Sequence, residues 1–122
     1  MSDYLPVYTP AQAFTLTASA AITGGQLVEI TGSGTVGPAG VTSAKVVGVA
    51  AFDCASGARI TIWGAGIHEG VAAANITAGD PVKAAAAGQV TGYTVGTDAV
   101  NALLGKAITT ASSGSLVRFQ IV

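Results

Sequence analysis

The sequence contains little charge. Only 9% of its 122 residues are Asp, Glu, Lys or Arg, against about 25% in an average soluble domain. The five basic and six acidic side chains are scattered singly along the chain, so no basic face for nucleic acid is expected. A neutral surface is poorly protected against association. The composition therefore favours a chain that works inside an assembly, although an ordinary charge-poor β-domain fits it equally well.

The sequence also lacks the residues on which many sites depend. Its single cysteine, Cys54, cannot form an intrachain disulfide, and no Cys/His cluster with metal-ligand spacing surrounds it. We expect no metal, no cofactor and a buried, unreactive thiol. The N-terminus has no basic region followed by an apolar stretch, and no run of about 18 apolar residues could cross a bilayer. Neither a signal peptide nor a membrane partner is predicted.

Residues suited to catalysis are few. The only histidine, His68, adjoins Glu69, but a strand directs neighbouring side chains to opposite faces, so the two make a poor catalytic dyad. Cys54 has no base near it in the sequence. The glycines at 32–37 match G-x-G-x-x-G, but Pro38 follows where a phosphate-binding helix would have to begin. The sequence predicts no catalytic residue and no enzyme.

Repetition is the strongest positive signal. The phrase at 22–28 returns at 76–82, and the phrase at 47–50 returns at 104–107. Each second phrase is followed by a nine-residue step from one glycine to the next and then by a strand-like run. This pattern predicts an all-β domain, a small β-barrel or sandwich with an internal pseudo-duplication whose repeats cover about 22–63 and 76–122.

Local patterns add detail to this fold. In the run 59–63 the isoleucines face one way and Trp63 the other, which predicts that the only tryptophan lies on the outer face of a sheet. The apolar run 45–52 suits a strand covered on both sides, with Gly48 at a bulge or a close backbone approach. Residues 32–43 are rich in turn formers and are expected to form a loop. A further strand is expected from about Leu103, after a turn.

An extended N-terminal arm, residues 1–12, is predicted to precede a single β-domain at 13–122. Pro6 and Pro10 bias their preceding residues away from helix. Chain termini are usually disordered, yet this one contains two of the three tyrosines of the chain. We expect the arm to dock on its own domain, on a neighbouring subunit or on another partner. The apolar residues of the arm are Tyr4, Leu5, Val7 and Tyr8.

Several short motifs follow one another in a fixed order along the body of the chain. They are Gly-x-x-Val at 25–28 and 79–82, Val-Gly-Val-Ala at 47–50, Ser-Gly at 56–57, Gly-x-Val-Thr at 88–91 and Leu-Gly-Lys-Ala at 104–107. In this order the motifs resemble those of the small decoration, or cement, proteins of tailed bacteriophage capsids. The resemblance covers roughly Thr15 to Val122.

The resemblance implies a β-rich structural protein without enzymatic activity. It implies binding to the outer surface of the mature capsid, often as a homotrimer, with N-terminal arms that help to anchor the subunit to the major capsid protein. Such a protein is made in the host cytoplasm and resides in the virion. The candidate residues for the capsid or subunit interface are Tyr4, Leu5, Val7, Tyr8 and Trp63.

Other interpretations remain open. Tryptophan is enriched in interface hot spots, but Trp63 could equally cover its own strands. A surface-displayed module that binds glycans or a receptor would use Trp63 and Tyr93 as an aromatic platform. An enzyme that uses His68 is the third and weakest alternative.

Overall fold

The computed structural model describes residues 13–122, which form strands connected by turns and two short 3-10 helices. The arm at 1–12 lies outside the described residues. The 3-10 helices span Ala86–Gly88 and Val100–Ala102. The strands are β1 Ala13–Ala18, β2 Leu27–Gly32, β3 Thr35–Pro38, β4 Val46–Ala50, β5 Arg59–Trp63, β6 Gly66–Val71, β7 Pro81–Ala84, β8 Val90–Gly92, β9 Gly105–Lys106 and β10 Leu116–Ile121.

The first five strands form a closed barrel in the order β1-β3-β2-β4-β5. The barrel closes where β1 pairs antiparallel with β5, with Ala13 opposite Trp63 and Thr17 opposite Arg59. Alternate residues of each strand point inwards, as the two-residue period of a strand requires. The interior is filled by one cluster of small and branched side chains: Ala18, Ile22, Val28, Val36, Ala50, Ile60 and Ile62.

The last five strands repeat the pairing plan of the first five. β6 pairs with β10 as β1 pairs with β5, and β7 pairs with β8 and β9 as β2 pairs with β3 and β4. The two remaining pairings are each reduced to one bridge, Ala72 with Val90 and Ala107 with Phe119. The second half is therefore a less regular copy of the first barrel.

The repeated sequence phrase forms the same turn in both halves. In the first turn the Gln26 side-chain oxygen accepts a hydrogen bond from the Thr23 backbone N–H, 2.8 Å away. In the second, an Asp80 carboxylate oxygen accepts from the Thr77 N–H at 3.1 Å. Each turn also needs a residue in the left-handed region, which glycine adopts at little cost; Gly25 has φ +90° and its counterpart Gly79 has φ +93°.

Two strands of the first barrel belong to both cores. Val28 and Ala50 point into the first barrel, whereas their neighbours Leu27 and Val49 point the other way and join the core of the second half. Strand β4 is thus covered on both faces, as the apolar run 45–52 predicts, and so is the beginning of β2. The second core is the larger one, and the fully buried Phe119 contributes its largest side chain.

The all-β class and the barrel are confirmed, while two local predictions need correction. The expected loop at 32–43 contains strand β3, which pairs with both β1 and β2 and buries Val36 completely. The sequence predicts a loop here because the strand contains Gly37 and Pro38, and both residue types favour turns. The strand expected from about Leu103 begins at Gly105, since Val100–Ala102 forms a 3-10 helix before it.

Candidate interface surface

Trp63 is the last residue of β5 and lies on the outside of the first barrel. The burial of Ile60 and Ile62 alternates with the exposure of Arg59 and Trp63, so the orientation predicted from the sequence is confirmed. The Trp63 side chain is 49% exposed. A large aromatic side chain in this position has apolar area available for a partner.

The described part of the chain begins beside Trp63. Ala13, the first described residue, is the cross-strand partner of Trp63 in the β1–β5 ladder, and such partners have Cα atoms about 4.5–5.5 Å apart. The candidate arm residues Tyr4, Leu5, Val7 and Tyr8 lie outside the described residues. Their point of attachment to the body is nevertheless defined, and it adjoins the one described residue of the predicted interface.

The same end of the barrel contains an open concavity of about 530 Å³. Strands β1, β3 and β4 begin at this end, and β2 and β5 end there, because β1 is parallel to β3 and the pairs β1–β5, β5–β4 and β4–β2 are antiparallel. The concavity is lined by the last residues of β2, the first residues of β4 and the segment before β4. Its main lining residues are Ile30, Thr31, Lys45, Val46 and Val47.

A polar cluster joins corresponding loops of the two halves. The Lys83 ammonium donates hydrogen bonds to the Asp98 carboxylate at 2.7 Å and to the Thr42 hydroxyl at 2.9 Å. Asp98 also accepts from the Thr94 backbone N–H at 2.8 Å, and the Tyr93 hydroxyl donates to the Asp98 carbonyl oxygen at 3.0 Å. The hydrogen bonds from Lys83 and from the Thr94 N–H lower the pKa of Asp98 from its ordinary value. This cluster fixes the loop before β9.

Residues 8–121 match the family described as phage cement protein. The chain belongs to this family. The resemblance inferred from the sequence motifs is thereby confirmed, and the chain is a structural protein of the phage virion.

A solved structure shares the fold of this cement-family protein. It is the head fiber gp8.5 N base in bacteriophage phi29, which is 19% identical, with a TM-score of 0.69 over 90% of this chain and 92% of that chain. At this identity the likeness shows a common fold. No curated protein matches the chain.

His68 is engaged in a structural contact. Its Nε2 lies 2.7 Å from the carbonyl oxygen of Gly64, and because a carbonyl can only accept, Nε2 carries the hydrogen. The His68 ring also lies 6.2 Å from that of Phe119 between centroids. Glu69 forms an exposed pair with Arg118 at 3.5 Å.

Cys54 is part-buried rather than buried. Its backbone forms an isolated antiparallel β-bridge with Ile22, at the end of the first barrel opposite Trp63. Within residues 13–122, no three His, Cys, Asp or Glu side chains come close enough together to hold a metal ion. In the same part of the chain, no helix has the length and apolar character needed to cross a membrane.

Tyr93 lies in the second half of the chain, part-buried, with its hydroxyl used by the Asp98 carbonyl. The aromatic platform considered for a glycan- or receptor-binding module therefore has one member whose polar group already has a partner.

The sequence did not predict the barrel-end concavity, because its lining residues come from two strands that meet only in the folded chain.

Proposed function

We propose that this cement-family protein binds the outer surface of the mature phage head and stabilises the lattice of the major capsid protein. The observation that carries the proposal is the pairing of Ala13 with Trp63. It brings the attachment point of an apolar arm and a half-exposed tryptophan to one end of the barrel. A single contact surface can therefore include both.

The contact chemistry suits a protein surface. An extended arm can add its backbone to a sheet edge of the partner, where main-chain hydrogen bonds give affinity and alternate side chains give fit. Tyr4, Leu5, Val7 and Tyr8 would supply those side chains, and Trp63 would supply an aromatic anchor of the kind that dominates interface energetics. The small number of charges leaves few ions to desolvate when the surface is covered.

Stabilisation follows from selective binding. A ligand that binds the assembled lattice but not separate capsid subunits stabilises the assembly by RT ln(1 + [L]/Kd) at each site. The effect is multiplied by the number of copies on the head.

We propose that the protein acts without catalysis or cofactor, that it assembles as a homotrimer on the capsid, and that it is made in the host cytoplasm before attachment.

Capsids that lack the protein provide the test. The purified protein is mixed with them, the capsids are sedimented, and bound copies are counted by mass against the major capsid protein. Saturation at a fixed ratio, together with a higher melting temperature of the decorated capsid, is expected. Failure to bind any mature capsid would reject the proposal and leave the glycan- or receptor-binding alternative.

A further inference from the structure

The two halves of the chain contact each other through two different surfaces. On the first half it is the face at the beginning of β2 and after β3, which contains Gln26, Leu27 and Ala39 and which we call the covering face. On the second half it is the barrel end where β7 ends and β8 begins, which we call the receiving end. The Gly88 N–H donates to the Ala39 carbonyl, and the Gln26 side-chain amide donates to the Ala87 carbonyl, both at 2.9 Å. Leu27 and Ala39 belong to the core of the second half and are almost completely buried.

Each half contains both surfaces, because the two halves share one pairing plan. In the covering face of the first half the Ala39 N–H donates to the Leu27 carbonyl at 2.9 Å. In the second half the Tyr93 N–H donates to the Pro81 carbonyl at 2.8 Å, so these two residues occupy the equivalent positions. The receiving end of the first half is the barrel end with the concavity of about 530 Å³. The contact within the chain uses one covering face and one receiving end, and one of each remains.

The receiving end of the first half is less covered than its counterpart. Ile30 and Val47 line the concavity and are only part-buried. Their equivalents in the second half, Ala84 and Leu104, are 0% and 8% exposed. The Ala84 carbonyl also accepts from the Thr42 N–H of the first half, at 3.0 Å. Covering Ile30 and Val47 in the same way would remove further apolar area from water, which is favourable.

The covering face of the second half is bare among the described residues. A groove of about 280 Å³ beside Pro81 has mostly apolar walls, which include Leu103, Gly105 and Val122. Leu103 is 43% exposed and Val122 is 82% exposed. The first-half equivalent of Leu103 is Val46, which packs against the core of the second half. The same face of the fold is thus covered in one half and exposed in the other.

We propose that, in the free protein, the covering face of the second half of one copy binds the receiving end of the first half of another copy. The occupant is a second copy of this chain because the contact within the chain already joins a covering face to a receiving end of this fold. The charges are compatible as well. Glu29 and Lys45 lie together beside the concavity, and the covering face carries Asp80 and Lys106, so each acid can face a base.

Such a contact is head-to-tail. The two surfaces of one copy differ, so each bound copy offers its other surface to the next, and the contacts either close into a ring or extend as a chain. A ring of three copies would be the homotrimer that we propose on the capsid, and in this respect the inference deepens the proposed function. Trp63 lines neither the concavity nor the groove, so the contact leaves it available to the capsid.

Chemical cross-linking of two variants tests the inference. Ser33→Cys, in the receiving end, and Asp80→Cys, in the covering face, are made separately in a Cys54→Ala background. Ser33 and Asp80 are the equivalents of Ala87 and Gln26, which are in contact within the chain. We expect a short bis-maleimide to give covalent dimers in a mixture of the two variants and only background in either variant alone.

The outcomes separate the possible contacts. Cross-linking of either variant with itself to the same extent as in the mixture would indicate a symmetric contact, which overturns the inference. A mixture without dimers would overturn it as well. The control mixes Ser33→Cys with Ala20→Cys, at an exposed position after β1, and should give only background. Circular dichroism establishes that all three variants are folded.

Sedimentation velocity provides a second measurement without cross-links. Leu103→Glu places a charge on the covering face, and Ala44→Arg places a bulky cation in the receiving end, where Ala44 is exposed. We expect each variant alone to lose self-association at least about tenfold. A mixture should restore one contact per pair, because each partner supplies the intact surface that the other lacks. Leu116→Glu, at an exposed residue outside both surfaces, should associate as the original protein does, and a mixture that stays monomeric would contradict the inference.

Both measurements are made without capsids, so they are independent of the capsid-binding test. A protein that saturates capsids but shows no head-to-tail contact in solution would overturn this inference alone. A protein that forms the contact but binds no capsid would overturn only the proposed function.

Discussion

Gly48 lies directly against the carbonyl oxygen of Trp63, and a Cβ atom at Gly48 would overlap that oxygen and the Ile62 side chain. The second half repeats the relationship, with Gly105 against the carbonyl oxygen of Gln120. These contacts explain why a glycine stands in each copy of the second repeated phrase. The close backbone approach predicted for Gly48 from the sequence is thereby confirmed.

We therefore expect Gly48→Ala and Gly105→Ala each to lower the free energy of unfolding by about 1–3 kcal/mol or more, because a backbone oxygen cannot move aside as a side-chain end can. The measurement is urea denaturation. Gly92→Ala is the matched control: Gly92 is also in a strand, and a Cβ there would meet nothing within 4 Å. A loss of stability in the control as large as that in the two variants would contradict this explanation.

Leu27 connects the two halves of the fold. It belongs to a strand of the first barrel, is fully buried, and packs in the core of the second half. We expect Leu27→Ala to lower the free energy of unfolding by about 2–5 kcal/mol and to destabilise both halves in one transition. Thermal melting and hydrogen exchange measure this effect. Leu116→Ala, at a residue 62% exposed, should change stability by no more than about 0.5 kcal/mol. Unfolding of only one half in Leu27→Ala would show that the cores are independent.

The Lys83–Asp98 pair gives stability a defined pH dependence. The lowered pKa of Asp98 in the folded protein means that the pair contributes stability above the unfolded Asp pKa of about 3.9, and that this contribution is lost as the pH falls through the lower folded value. Lys83→Met should therefore be less stable than the original protein at pH 7. The difference should shrink progressively below about pH 4.

Urea denaturation between pH 2.5 and pH 7 measures this dependence, with Arg118→Met as the control. The Arg118–Glu69 pair is 61% and 55% exposed, and exposed pairs contribute little. A stability difference between the original protein and Lys83→Met that stays constant from pH 7 to pH 2.5 would show that Asp98 is not the group responsible.

The sequence predicted those features of the fold that local geometry determines. The turns at Gly25 and Gly79 could be predicted because each needs a residue in the left-handed region and a hydrogen-bonding side chain at a fixed spacing. The outward position of Trp63 followed from the alternation in β5. The double burial of β4 followed from its apolar run.

The remaining features depend on contacts between distant parts of the chain. Strand β3 is stabilised by β1 and β2, so its own residues, which include Gly37 and Pro38, indicate a turn. The concavity at the end of the first barrel could not be predicted, because its lining residues come from β2 and β4, which are adjacent only in the folded chain. The identity of the chain as a phage cement protein came from the order of its motifs, since no catalytic or binding constellation was present to indicate it.

The most direct test of the account is capsid binding by three forms of the protein compared with the original: deletion of residues 1–12, Trp63→Gln and Leu116→Gln. Glutamine is the residue that the second half carries at the position equivalent to Trp63, so the substitution suits the fold, and thermal melting checks that it does. We expect the deletion and Trp63→Gln each to weaken binding at least about tenfold, the size of a hot-spot loss of about 1.4 kcal/mol or more, and Leu116→Gln to leave it unchanged. Full binding by both the deletion and Trp63→Gln, or a loss confined to Leu116→Gln, would contradict the claim that this end of the first barrel faces the capsid.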